Sequence, residues 1–114
     1  MHRRRQQCLP GRAGRLTTQG IAACNGQEQS FWDDMLNYAY GELETALDPD
    51  VFKSLKTAQK AWVPWRDANC TFVYDSTEGT IRQIFASYCL MEITGRRAAD
   101  LLSVLDDKIG GGEG

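Results

Sequence analysis

The sequence has a single histidine, His2, and no pair of cysteines at the spacing of a zinc or redox dithiol motif. These absences argue against a metal site and a thiol oxidoreductase, and we expect no cofactor. Four cysteines are nevertheless present in 114 residues. An even number at wide spacing is typical of two structural disulfides, which persist in oxidising compartments. We therefore expect a periplasmic or secreted protein.

Long apolar runs are also missing, and no stretch approaches the length needed to span a bilayer. The first residues are charged, but no apolar segment of the kind found in signal peptides follows them. Because the disulfides require export, we expect a precursor whose signal peptide has been removed.

Acidic residues are absent from the first 20 positions, which carry five arginines. The remaining chain has 8 basic and 15 acidic side chains, and so a net charge of −7. The basic segment has no aromatic residue on which a base could stack, and it precedes an acidic domain that repels phosphate. These features argue against nucleic-acid binding.

Apolar periodicity predicts helices after an irregular start. Residues 1–27 contain Pro10, four glycines and little apolar content, and we expect an irregular basic lead-in. Apolar side chains at helical spacing then predict a first helix over residues 28–47.

A second helix is predicted to begin directly after the first. Asp48 is a good N-cap residue and Pro49 suits the first helical position. The helix covers residues 49–72 and runs antiparallel to the first helix, because the link between them is very short. We expect a kink near Pro64, since an interior proline removes a backbone hydrogen bond.

A turn and a third helix complete the chain. Residues 74–79 have the composition of a turn, and Asp75 with Glu78 resembles a capping box. A third helix is predicted over residues 77–107, with a break into two helices at Gly95 as the alternative. Its apolar stripe contains Ile81, Ile84, Phe85, Tyr88, Met91, Ala98, Leu101, Leu102 and Leu105.

These patterns together predict the fold class. We expect an all-α domain over residues 28–109, a small antiparallel bundle of three to four helices cross-linked by disulfides. The closing glycine-rich residues 110–114 are expected to form a flexible tail.

The second predicted helix carries polar groups on a core-facing stripe. Gln59, Trp62, Arg66 and Cys70 recur at spacings of three, four and four. A buried guanidinium or amide needs a partner. Arg66 and Asp33 lie at similar distances along the chain from the link between the first two helices. We therefore expect these two side chains to pair, and Asn37 to share this structural network.

Four cysteines allow three disulfide pairings. We favour Cys70 with Cys89 and Cys8 with Cys24, because each pair closes a short local segment. The alternatives, which join Cys24 to Cys89 or Cys8 to Cys70, remain open.

The ordered series of residues resembles a known family, the lysozyme inhibitor LprI N-terminal family of small exported bacterial proteins. The resemblance covers residues 17–105, and the chain departs from the family pattern at Pro64 and in lacking a leader. It depends on Thr18, Gln19, Cys24, Asp33, Leu36, Asn37, Tyr40, Gln59, Trp62, Arg66, Asp67, Cys70, Cys89, Thr94, Arg97 and Leu101.

The resemblance implies an all-helical exported domain, and some family members inhibit lysozyme. The first hypothesis is therefore a binding domain that inhibits a cationic lysozyme through an acidic surface. The alternative is a structural or envelope-interaction domain, whose partner is another envelope protein, without inhibitory or catalytic activity. We expect no enzyme, because the acidic residues are typical of solvated helix faces and the only histidine that could activate a thiol, His2, lies in the basic lead-in. The candidate partner-binding residues are Tyr74, Asp75, Ser76 and Glu78 in the turn, and Trp65.

Overall fold

The computed structural model describes Cys8 and residues 17–110, and nearly all of that part is helical. The three helices are α1 (Thr18–Ala46), α2 (Pro49–Asp75) and α3 (Arg82–Gly110).

Two disulfides cross-link the chain, and they have the favoured pairing. Cys8 is bonded to Cys24, and Cys70 on α2 is bonded to Cys89 on α3. The predicted all-α bundle with two disulfides is therefore confirmed. Apart from Cys8, the lead-in positions before residue 17 lie outside the described residues, as do the tail positions 111–114. Within the described part, no helix is both long and apolar enough to cross a membrane.

Helix α1 begins ten residues earlier than predicted, so residues 18–27 are helical rather than irregular. Thr17 Oγ1 caps the helix by accepting a hydrogen bond of 2.9 Å from the backbone N–H of Gly20. Further along, the side-chain amide of Asn25 donates a hydrogen bond of 3.0 Å to Ser87 Oγ on α3. Capping and tertiary contact stabilise a segment whose glycines have low helix propensity.

Helix α2 continues through Pro64 as far as Asp75, three residues beyond the predicted end. Asp48 occupies the N-cap position and Pro49 begins the helix, although the Asp48 side chain makes no capping hydrogen bond. Its backbone carbonyl accepts a hydrogen bond of 2.9 Å from the N–H of Phe52. The kink near Pro64 remains a prediction.

Helix α3 begins at Arg82, five residues later than predicted. Gly79 has a φ of +80°, a left-handed conformation that glycine tolerates and that an α-helix does not contain. Asp75 is the last residue of α2, so it does not cap α3 together with Glu78. The turn between α2 and α3 therefore covers residues 76–81, two residues later than its composition indicated.

Helices α1 and α3 run parallel to each other and form most of the core. Asn25 meets Ser87 near the start of both helices, and Trp32 lies on Gly95 two turns further along. The main buried cluster contains Leu36, Ala39, Leu43, Leu47, Ala98, Leu101 and Leu105.

Helix α2 runs antiparallel to the other two and contributes little to this core. The order of its contacts with α3 is reversed, since Gln59 meets Arg97 and Cys70 meets Cys89. Cys70 is its only fully buried residue. Apolar burial alone therefore does not explain why α2 stays attached to the bundle.

The first part of the predicted α3 stripe is not buried. Ile81, Phe85 and Tyr88 are 47%, 46% and 49% exposed. Ser87 contacts α1 and Cys89 contacts α2, so positions 81, 85 and 88 fall on the remaining side of the helix. The later positions Ala98, Leu101 and Leu105 belong to the main buried cluster, where they pack with residues of α1.

Gly95 marks a close approach of α1 and α3 and does not break the helix. A Cβ atom at this position would lie 3.3 Å from two atoms of the Trp32 indole. The alternative of two helices at Gly95 is therefore wrong, because α3 runs through it without interruption.

We expect Gly95→Leu to lower the free energy of unfolding by about 1–3 kcal/mol, because the new side chain must displace the Trp32 ring. Gly41→Leu is the matched control, since a Cβ at this helical position meets nothing within 4 Å. The control should raise the free energy of unfolding by about 0.5–1 kcal/mol through helix propensity. Chemical denaturation measures the free energy of unfolding of both variants. An equal increase at the two positions would contradict the close packing.

Candidate functional site

Arg66 lies where the three helices meet, and its side chain is only 13% exposed. Its Nη1 atom donates a hydrogen bond of 3.2 Å to Oγ1 of Thr94, a fully buried residue of α3. Its Nη2 atom lies 2.9 Å from an oxygen of Asp67, the next residue of α2. An oxygen of Asp33 on α1 is 3.9 Å from Nη1. The guanidinium therefore links α2 to both other helices.

A second guanidinium strengthens the attachment of α2 to α3. Arg97 Nε donates a hydrogen bond of 2.9 Å to Oε1 of Gln59. The Trp62 ring contacts both charges, with its centroid 5.1 Å from Cζ of Arg66 and 6.0 Å from Cζ of Arg97. Cation–π attraction at this depth adds to the hydrogen bonds. We call Gln59, Trp62, Arg66, Thr94 and Arg97 the polar junction.

The predicted network is divided between two parts of the structure. Asp33 does reach Arg66, but at a longer distance than Asp67 does. Gln59 bonds to Arg97 on α3 instead. Asn37 is exposed beside the α1–α2 groove, and among the described residues it makes no hydrogen bond to Arg66.

Two members of the polar junction, Thr94 and Arg97, were not assigned to the network from the sequence. Thr94 occupies a core-facing position between Met91 and Ala98, at spacings of three and four residues. A threonine at such a position needs a hydrogen-bond partner, and this was the available signal. Arg97 lies one turn further along the same helix.

A groove of about 440 Å³ lies between α1 and α2 beside the polar junction. Leu36 and Tyr40 supply apolar surface, and the exposed Lys56 and Lys60 also line the groove. Among the described residues, no group of three histidine, cysteine, aspartate or glutamate side chains could hold a metal ion. The groove thus offers apolar surface with cationic neighbours.

The turn between α2 and α3 is held by local contacts at its start. Arg82 lies over the Tyr74 ring, 4.2 Å from its centroid, and donates a hydrogen bond of 3.1 Å to the Tyr74 carbonyl. The hydroxyls of Ser76 and Thr77 donate to the Val73 carbonyl at 2.9 and 3.3 Å. The Cys70–Cys89 disulfide closes the same end of the bundle.

The two carboxylates of the turn point to solvent. Asp75 and Glu78 are exposed, and neither forms an ion pair within the described part of the chain. The structure therefore brings Tyr74, Asp75, Ser76 and Glu78 together on one exposed segment. It does not bring Trp65 there, because Trp65 lies ten residues earlier on α2, about 15 Å along the helix axis.

We expect Arg66→Ala to lower the free energy of unfolding by about 1–3 kcal/mol, because it leaves the buried Thr94 hydroxyl without its charged partner. Arg96→Ala is the matched control, since Arg96 is 76% exposed and, among the described residues, forms an ion pair only with Glu92 on its own helix. The control should stay within about 0.5 kcal/mol of the parent. Thermal and chemical unfolding measure the difference, and similar losses would place Arg66 among ordinary surface residues.

Comparison with known proteins identifies the family. The sequence profile described as lysozyme inhibitor LprI matches residues 8–101. The uncharacterized protein R02472 of Rhizobium meliloti (strain 1021) is 30% identical over 67 residues, which cover 58% of this chain and 48% of that protein. The chain therefore spans about half the length of that relative, and no solved structure matches it. Because the profile match covers most of the sequence, the chain belongs to the lysozyme inhibitor LprI family.

Proposed function

We propose that this domain inhibits a cationic lysozyme through the α2–α3 turn. Membership of the lysozyme inhibitor LprI family supports a lysozyme as the partner class. The observation that carries the choice of surface is the exposed, unpaired state of Asp75 and Glu78 on a segment held at both ends. We infer no catalytic role for either carboxylate.

Preorganisation of the turn favours binding. The Arg82 contact to Tyr74 and the hydroxyl bonds to Val73 fix the first half of the turn before any partner arrives. The disulfide between Cys70 and Cys89 limits the separation of the two helix ends. A segment that is already ordered loses less conformational entropy on binding, so more of the contact energy remains as affinity.

Charge supports the approach of a basic enzyme. The chain beyond residue 20 has a net charge of −7, and two of its acids lie at the turn, Asp75 at the end of α2 and Glu78 within the turn. Such charges increase the association rate more than the final affinity, and salt weakens the effect. Because a lysozyme cleft has carboxylates of its own, we assign Asp75 and Glu78 to its basic rim. Tyr74, which is 38% exposed, and Ser76 approach the cleft.

An extracytoplasmic location is part of the proposal. Two disulfides require an oxidising compartment, and the lysozyme substrate, the cell wall, lies outside the cytoplasm. We assign the domain to the periplasm or the exterior.

We expect the variant Asp75→Asn with Glu78→Gln to inhibit a cationic lysozyme about tenfold less than the parent at low salt. The difference in inhibition between parent and variant should be smaller at physiological salt, because screening weakens the attraction that the carboxylates of the parent provide. Turbidity of a cell-wall suspension measures the inhibition, with the refolded disulfide-bonded protein in excess.

Asp106→Asn with Asp107→Asn is the matched control. It removes the same charge from the exposed C-terminal end of α3, at the opposite end of the bundle from the turn. Equal losses in the two variants would mean that net charge matters and the turn does not. No inhibition by the parent at either salt concentration would favour the envelope-interaction alternative.

A further inference from the structure

The groove between α1 and α2 is bounded at both ends by contacts between the two helices. At one end the rings of Tyr40 and Phe52 pack together, with their centroids 5.1 Å apart. At the other end an oxygen of Asp33 lies 3.9 Å from Nη1 of Arg66. The stretch of α2 from Phe52 to Arg66 spans about 20 Å. The groove is therefore a short, bounded site rather than a face that runs the length of the bundle.

The charges that line the groove are mostly positive, although the domain is acidic. Lys56, Lys60 and Arg66 line it together with a single acid, Asp33. Arg66 is paired with Asp33 and Asp67, whereas neither lysine side chain forms an ion pair within the described part of the chain. The chain beyond residue 20 nevertheless has a net charge of −7. Two unpaired ammonium groups in this groove thus favour an anionic ligand.

The walls between the two ends are apolar. Leu36 is buried and Trp62 half-buried, while Val63 is 40% exposed on the α2 wall. The Trp62 ring already contacts the guanidinium groups of Arg66 and Arg97, which leaves it less available for stacking on a sugar ring. This lining favours an aliphatic chain over a saccharide.

Asn37 adds a hydrogen-bond donor on the α1 wall. It lies between Asp33 and Tyr40, the residues at the two ends of the groove, and therefore faces the stretch of α2 that carries Lys56 and Lys60. Its exposed side chain makes no hydrogen bond within the part of the chain that the structure describes. A carboxylate accepts several hydrogen bonds and can therefore use donors from both walls.

We propose that the groove binds a free monoacyl carboxylate, the anion of a fatty acid. Its carboxylate pairs with Lys56 and Lys60, and its alkyl chain lies on Leu36, Trp62 and Val63. The volume of about 440 Å³ is within the range of small-molecule sites. A standard protein interface needs roughly 800 Å² on each partner, which is more than so short a groove offers. The site is separate from the α2–α3 turn and does not depend on the function proposed for that turn.

Isothermal titration calorimetry of the intact disulfide-bonded protein with laurate, kept below its micelle concentration, tests the site. We expect one laurate per chain, with a dissociation constant below about 1 mM. Dodecyltrimethylammonium has the same alkyl chain with a cationic head, and it should bind about tenfold more weakly or less. Hexaglutamate offers carboxylates without an alkyl chain and should not saturate the protein.

Three results of this titration would overturn the proposal. One is a parent that does not bind laurate at about 1 mM. Another is equal binding of the cationic detergent, which would mean that the lysines do not select the ligand. The third is tighter binding of hexaglutamate than of laurate, which would assign the groove to an acidic peptide.

Lysine variants test the position of the carboxylate. Lys56→Gln with Lys60→Gln should weaken laurate binding about tenfold or more, because both charged partners of the carboxylate are lost. Arg96→Gln with Lys108→Gln is the matched control, since it removes two positive charges from exposed positions of α3 outside the groove. The control should bind laurate like the parent. Equal losses in the two variants would mean that net charge attracts laurate and the groove does not.

A pair of valines with equal exposure tests the position of the alkyl chain. Val63 and Val104 are 40% and 41% exposed, and only Val63 lines the groove. Val63→Glu places a carboxylate on the groove wall and should abolish laurate binding, whereas Val104→Glu should bind like the parent. Circular dichroism checks that both variants keep the helical fold. Laurate binding that survives Val63→Glu would place the alkyl chain on another apolar surface and reject the groove.

Discussion

The position of α2 depends on a disulfide and two guanidinium groups as well as on a small apolar contact, in which Phe52, Leu55 and Trp62 pack against the core. Only Cys70 of this helix is fully buried, while α1 and α3 supply nearly all of the core. Arg66 and Arg97 hold α2 through Thr94 and Gln59. Hydrogen bonds to charged groups are directional, and they are costly to break when a buried partner is left behind. The polar junction therefore sets the register of α2 as well as its attachment.

This mode of attachment explains where the accessible surfaces lie. Because only a narrow face of α2 is packed against the bundle, a groove remains on its α1 side, and Trp65 and Phe72 remain exposed on its outer surface. The same disulfide fixes the end of the bundle at which the turn begins. The limited apolar burial of α2 thus leaves accessible surface on both sides of the helix.

The sequence predicted the helical fold, the antiparallel second helix and the cysteine pairing, because apolar periodicity, Asp48–Pro49 and local spacing are short-range signals. The helix starts were predicted poorly. The α1 start depends on Asn25 contacting a helix more than fifty residues later, and the α3 start depends on the backbone of Gly79. The partners of Arg66 were predicted only in part. The similar distances of Arg66 and Asp33 from the link between the helices identified Asp33, but not the adjacent Asp67 or the buried Thr94. Which atoms meet across a helix pair depends on rotation about each axis, and the positions of α1 and α2 along the chain do not determine it.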